Sequence, residues 1–169
     1  MADQTWSTFR RKIYINAPSG KIYWHWATGK GMETWFLRSC EYTDNREVKR
    51  AREEHAQAGD TYLWYWHNWA DGETGIINEA DGRTHLAFSF SGAQVTIDLE
   101  ESKGVTLVTL TQHHIPTDDR SKMNVYYGCG TGWTFWLANL KAYLEHDVLL
   151  HHTAPDMMGR SDFSDFVNL

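Results

Sequence analysis

Residues 132–144 read GWTFWLANLKAYL, in which Trp133, Trp136, Leu137, Leu140, Tyr143 and Leu144 recur at helical spacing while Asn139, Lys141 and Glu145 face elsewhere. That period predicts a long amphipathic helix. Upstream lies a series of alternating, β-branched and aromatic segments separated by turn residues, so the apolar stripe of the helix needs a sheet to lie against. The sheet in turn needs a cover. The expected fold class is α+β, with one long C-terminal helix gripped by a curved antiparallel β-sheet.

With 169 residues, 41% of them hydrophobic and 22% charged, the chain suits one domain with a sizeable core, placed at 1–150 and followed by a tail at 151–169. The formal charge of -6 leaves no broad basic surface, and the cationic run Lys49-Arg50-Ala51-Arg52 is met at once by Glu53-Glu54. Nucleic acid is therefore not an expected partner. No apolar run approaches the roughly twenty residues of a membrane span, the N-terminus has no basic-then-apolar signal pattern, and the thiols are Cys40 and Cys129. A cytoplasmic protein with reduced thiols and no membrane partner is expected. The unusual figure is 14% aromatic, with nine Trp and eight Tyr, which serves either an over-packed core or the wall of a cavity.

Residues 8–15, TFRRKIYI, read as an edge or half-exposed strand with Arg10, Arg11 and Lys12 on one face. Asn16-Ala17-Pro18-Ser19 opens a short helix carrying Ile22, Tyr23 and Trp26, and Met32, Trp35 and Phe36 mark a second, so two short helices separate the first two strands. Residues 38–42 read as the second strand, and the charged stretch 45–58 reads as a solvated helical insertion. Further strands are expected at 61–66, 73–79, 85–90, 94–99 and 105–115, with Asp71-Gly72, Asp81-Gly82, Ser91-Gly92 and Ser102-Lys103-Gly104 as turns. Connections this short imply an antiparallel meander. The closing helix begins near Lys122, capped by Asp119 or Ser121, and tolerates Gly128, Gly130 and Gly132. In the tail, Phe163, Phe166 and Val167 are candidates to dock on the domain.

This order of elements resembles the helix-grip fold of the START-like (SRPBCC, birch-pollen-allergen-like) superfamily. KIYINAPSGKIYWHWAT with METWF resembles the entry segment of the heat-shock protein 90 ATPase activator homologue (polyketide cyclase-like) family, GDTYLWYW its central strand, and GWTFWLANLKAYLEHDVLL its closing helix. The resemblance covers about residues 8–150. It implies a cavity between sheet and helix and no catalytic residue. It also implies two classes of action, ligand carriage in the interior and contact with a chaperone through the outer surface.

No cluster of residues fixes a reaction. His113-His114 point to opposite faces of a strand, and His146, His151 and His152 follow the helix without a metal-ligand spacing, so no metal or cofactor is expected. Cys40 and Cys129 have no neighbouring His in sequence, no nucleophile elbow occurs, and the glycines at 128–132 follow no βα unit. Asp98, Glu100 and Glu101 read as a solvated turn cluster. The leading expectation is a non-enzymatic module, monomer or weak homodimer, that holds a small hydrophobic molecule. Its cavity is walled by Trp24 or Trp26, Trp35, Trp64, Trp66, Phe88, Phe90, Trp133, Trp136 and Leu140, with Tyr126, Thr109 or His113 to orient the ligand. The alternative is a protein-interaction module assisting or stimulating a chaperone ATPase, with residues 47–57 as a contact; a cyclase or hydrolase ranks third, since it needs an ionisable group pointing inward.

Overall fold

The computed structural model describes residues 5–162 and 165–169; the docking expected of Phe163 lies outside them. The chain runs β1 (Phe9–Ile15), α1 (Ser19–Ala27), α2 (Gly29–Trp35), β2 (Ser39–Thr43), β3 (Thr61–Tyr65), β4 (Glu73–Ala80), β5 (His85–Phe90), β6 (Ala93–Ser102) and β7 (Val105–His113). Then follow an α-helical turn, α3 (Asp119–Ser121), a π-helical stretch Lys122–Cys129, and α4 (Gly130–His146). These last three form one continuous closing helix. The seven strands make an open antiparallel sheet in the order β1-β7-β6-β5-β4-β3-β2, so β1 and β2 are its edges. This is the helix-grip architecture.

Strand alternation sorts the two faces of the sheet. Phe9 and Ile15 on β1, Val108, Leu110 and Gln112 on β7, Val95, Ile97 and Leu99 on β6, Leu86 and Phe88 on β5, Tyr62 and Trp64 on β3 are buried against the helices. The outer face carries Arg10, Lys12, Asp98, Thr109 and Thr111. Ser91-Gly92 and Lys103-Gly104 turn the chain with both residues at positive φ, the geometry that matches strand twist in a two-residue hairpin. On β4 a register shift between Ile77 and Glu79 interrupts the pairing with β5. This bulge puts buried Ile77 inside and exposed Glu79 outside, although unbroken alternation would place them together.

The helices are tied in by a few specific contacts. Thr28 caps α2 by accepting from the Gly31 N–H at 2.9 Å. A Cβ on Gly31 would stand 2.3 Å from the Trp24 carbonyl oxygen, so only glycine lets α2 fold back on α1. At the start of α1, Ser19 donates from N and Oγ to Glu101 at 2.7 and 2.8 Å. The cap thus comes from β6, and these bonds hold the Glu101 carboxyl below its usual range. Asp118 caps α3 by accepting from Ser121 N–H, in place of the Asp119 or Ser121 expected for this role.

Three expectations are corrected. Residues 45–58 form no helix but an irregular, anchored loop: Lys49 bridges to Thr43, Asp44 accepts from the N–H groups of Arg46 and Val48, and Ala56 N–H donates to Ala27 at 2.7 Å. The anchor that outweighs helix propensity is buried Asp60, gripped by both Nε and Nη2 of Arg50. On β1 the basic residues do not share a face, since Arg10 donates to Thr111 on the outside while Arg11 reaches Thr134 of α4 at 3.0 Å. Nor are Asp98 and Glu101 merely solvated, because Asp98 pairs with His85 at 2.7 Å and Glu101 caps α1.

Candidate functional site

The aromatic core comes to the surface at one end of the grip. Trp26, Trp35, Trp64, Phe88 and Leu140 are essentially fully buried and fill the space between sheet and helices. Their packing is dense: Tyr62 stacks on Trp64 with ring centroids 4.0 Å apart, and Trp26 meets Trp35 edge-on at 4.8 Å. Further along, the same aromatic wall stops being covered and opens into a cavity of about 580 Å³.

Each wall of that cavity has a structural origin. Phe36 follows α2, Trp66 and Phe90 stand just past or at the ends of β3 and β5, Trp69, Asp71 and Gly72 come from the β3–β4 connection, and Glu73 opens β4. The helix side is built by Asn124, Gly128 and Cys129 of the π-helical stretch and by Gly132, Trp133 and Trp136 of α4. Widening the helix to the π form loosens its packing, and two glycines in this wall leave room that side chains would otherwise occupy. A Cβ on Gly132 would meet no atom within 4 Å. Phe166 and Leu169 of the tail complete the mouth.

The tail is brought there by two asparagines. Asn139, fully buried in α4, donates to the Trp35 carbonyl and accepts from Leu150 N–H at 2.6 Å. Asn68 donates to the His152 carbonyl at 2.9 Å and accepts from Met157 N–H at 3.3 Å. Between them His151 sits buried, its ring 5.3 Å from both Trp136 and His67. Burial, followed by the neighbouring charge of His67, lowers its pKa to about 4.

The proposed wall residues divide accordingly. Trp66, Phe90, Trp133 and Trp136 line the cavity, whereas Trp26, Trp35, Trp64, Phe88 and Leu140 lie in the packed core behind it. Both strand pairs do face the helix, as Phe88 and Phe90 lie 6.4 and 5.1 Å from Trp133 and Trp66 lines the same cavity as Trp133. The groups expected to orient a ligand stand elsewhere. Thr109 and His113 follow the outward alternation of β7, and Tyr126 packs on the opposite side of the helix against Trp6 and Phe9 at 5.2 and 5.6 Å. The polar side chains at the cavity are Asp71, Glu73, Ser91, Asn124 and Cys129, of which Glu73 accepts from Ser91 N–H at 3.0 Å. Sequence marked Asp71-Gly72 only as a turn, and nothing in its spacing set it beside a helix some sixty residues later.

Both thiols are held toward the protonated form. Burial pushes Cys40 up to about 12 and raises Cys129 as well, although hydrogen bonds to Ser91 and Gln112 pull the latter down. Among the described residues no group of three or more His, Cys, Asp or Glu side chains is placed to hold a metal ion, and no helix is long and apolar enough to cross a membrane. A second, polar concavity lies on the outer sheet face. There the His85 ring stands between Asp98 at 2.7 Å and Glu79 at 3.1 Å, carboxylates that accept from its N–H groups; burial opposes its charge, but these carboxylates win and raise its pKa.

Comparison with known proteins follows the same lines. The family model described as "Activator of Hsp90 ATPase homolog 1-like protein" matches residues 16–145. No curated protein matches. Among solved structures, a protein of Staphylococcus saprophyticus superposes with a TM-score of 0.65 at 22% identity, covering 85% of this chain and 95% of that one. The Aha1 dimer of Colwellia psychrerythraea gives 0.63 at 19% identity, with 82% and 96% covered. CalU16 of Micromonospora echinospora gives 0.59 at 15% identity, with 94% and 81% covered. At these identities the likeness is one of fold.

Proposed function

The chain belongs to the activator of Hsp90 ATPase homolog 1-like family, and from that premise we propose that it is a non-enzymatic helix-grip module that takes a small, largely apolar molecule into its end cavity. The observation that carries this reading is the cavity itself. Its volume of about 580 Å³ suits a small organic ligand, and Phe36, Trp66, Phe90, Trp133 and Trp136 supply the apolar area whose burial drives binding. Burial raises the pKa of Cys129, the thiol in this wall, which keeps it protonated and supports binding rather than turnover.

Native mass spectrometry beside the denatured mass tests the proposal. A discrete added mass that disappears in a Gly132→Phe variant supports carriage in this cavity. An added mass that persists in that variant places the ligand elsewhere, and a protein that stays empty and takes up no aromatic probe in titrations sinks the reading.

A second reading is favoured by the family description: a protein-interaction module that assists or stimulates a chaperone ATPase. Family membership supports this reading more directly than it supports ligand carriage. The protruding loop at 45–58, with Val48 exposed and Glu47, Lys49 and Arg46 around it, is the surface we assign to that contact. An ATPase assay of an Hsp90-type chaperone with and without the chain decides it, since unchanged turnover at saturating protein removes the proposal. Self-association, the state in which the Colwellia relative was solved, is measured in the same samples by sedimentation.

A further inference from the structure

Resting on the ligand reading above, we propose that the end cavity selects a lipophilic cation, an amine or quaternary ammonium group borne on an apolar body. The charged side chains that line the cavity among the described residues are Asp71 and Glu73, and no Lys, Arg or His lines it. Asp71 lies in the β3–β4 connection and Glu73 opens β4, so both carboxylates stand together beside an aromatic wall. Glu73 is held in place by the Ser91 N–H, which occupies Oε1 at 3.0 Å and leaves the carboxylate's charge beside the opening.

Trp66 at the opening is set edge to face against its aromatic neighbours. Trp66 meets Phe36 at 5.5 Å and an interplanar angle of 87°, and meets Phe90 at 6.3 Å and 66°. Aromatic rings thus line the space from several sides, and a cation within about 6 Å of a ring face is attracted by its negative quadrupole. An anion entering that space would meet like charge and no counter-charge. A neutral ligand would desolvate Asp71 and Glu73 without compensating them. A cation is attracted by ring faces and carboxylates alike, while its apolar body covers Trp133 deeper in.

Phenyltrimethylammonium, its neutral isostere tert-butylbenzene and the anion benzenesulfonate separate charge from shape. Each is titrated against the full chain, with the indole N–H signals of the tryptophans followed by NMR. The cation is expected to bind about tenfold more tightly than the isostere at low salt. That preference should fall to near parity in Asp71→Asn/Glu73→Gln, while the isostere still binds. Asp71 is exposed, so Asp71→Asn alone, with a several-fold loss of preference, serves if the double variant unfolds. If the isostere or the anion binds as well as the cation, the cation assignment fails and the cavity reading stands. If none of the three probes perturbs the indole signals, both fail together.

Discussion

The indole Nε1–H of Trp133 on the closing helix donates to Oε1 of Gln112 on β7 at 2.9 Å, a buried bond that fixes the helix to the sheet one strand in from its β1 edge. Gln112 is fully buried, so its amide has no access to water as an alternative partner. Gln112→Leu strands the indole donor and should cost about 1–3 kcal/mol. Trp133→Phe on its own should strand the Gln112 acceptor in the same way. The double variant is expected to lose less than the two single losses together, by a coupling of about 1 kcal/mol in urea unfolding. Strict additivity would mean that the bond contributes nothing specific.

Arg50 and Asp60 make a second long-range anchor, and it holds a segment with no regular structure. Asp60 is 2% exposed and Arg50 only 14%, so removing the arginine leaves a buried carboxylate unpaired. Arg50→Met should cost about 3–5 kcal/mol, and Arg50→Met/Asp60→Leu should recover much of that loss. Limited proteolysis supplies the local readout. Cleavage within 45–58 should accelerate in Arg50→Met well beyond any change at other sites, and equal acceleration throughout the chain would show that the pair stabilises the whole fold rather than the loop.

These two anchors mark where the sequence could be read and where it could not. The helix at 132–144 was legible because Trp133, Trp136 and Leu140 repeat with a period that only one face of a helix explains, and the strands were legible from their alternation between turn dipeptides. Asn139 reads as facing away from the apolar stripe, yet it is fully buried. It lies inside the apolar stripe, next to Leu140, and its polarity hid a buried role that depends on the Trp35 carbonyl and Leu150 N–H. The loop at 45–58 has helix-forming composition, but tertiary partners at Asp60, Ala27 and Thr43 override it. Four of the wall residues, Trp66, Phe90, Trp133 and Trp136, are foreseeable from aromatic patterning alone. Asp71 and Glu73 are not, because neither periodicity nor local chemistry records which loop lies opposite which helix.

His151 should make the domain acid-sensitive. Its folded pKa, about 4, lies below the ordinary histidine value of 6.5, chiefly through burial and then through His67. The unfolded chain therefore binds more protons than the folded chain between those two values, and stability rises with pH across that window. The contribution is fully present above about pH 6.5 and is lost as pH falls toward 4. His25 and His67 are lowered as well and act in the same direction, whereas His85, raised by Asp98 and Glu79, acts in the opposite one. Urea unfolding at pH 7 and pH 5 should differ by about 1–2 kcal/mol, and His151→Gln should flatten most of that difference. An unchanged slope in His151→Gln would assign the acid sensitivity to other histidines.

Gly31 and Gly132 should respond oppositely to the same substitution. Both lie in helices, where exchanging glycine for alanine normally stabilises by about 0.5–1 kcal/mol because the unfolded chain loses freedom. At Gly132 the added methyl points into the cavity and meets nothing within 4 Å, so Gly132→Ala should show that gain and raise the melting temperature. At Gly31 the same methyl falls 2.3 Å from the Trp24 carbonyl oxygen and 2.7 Å from the His25 Cα, both backbone atoms that cannot swing aside. Gly31→Ala must push α2 off α1, breaking the Thr28 cap, and is expected to cost more than 2 kcal/mol, on the order of the largest single-site losses. Differential scanning calorimetry of the two variants gives both signs. A destabilised Gly132→Ala would mean that the helix wall beside the cavity is already filled in solution, and that the space described there closes on itself when empty.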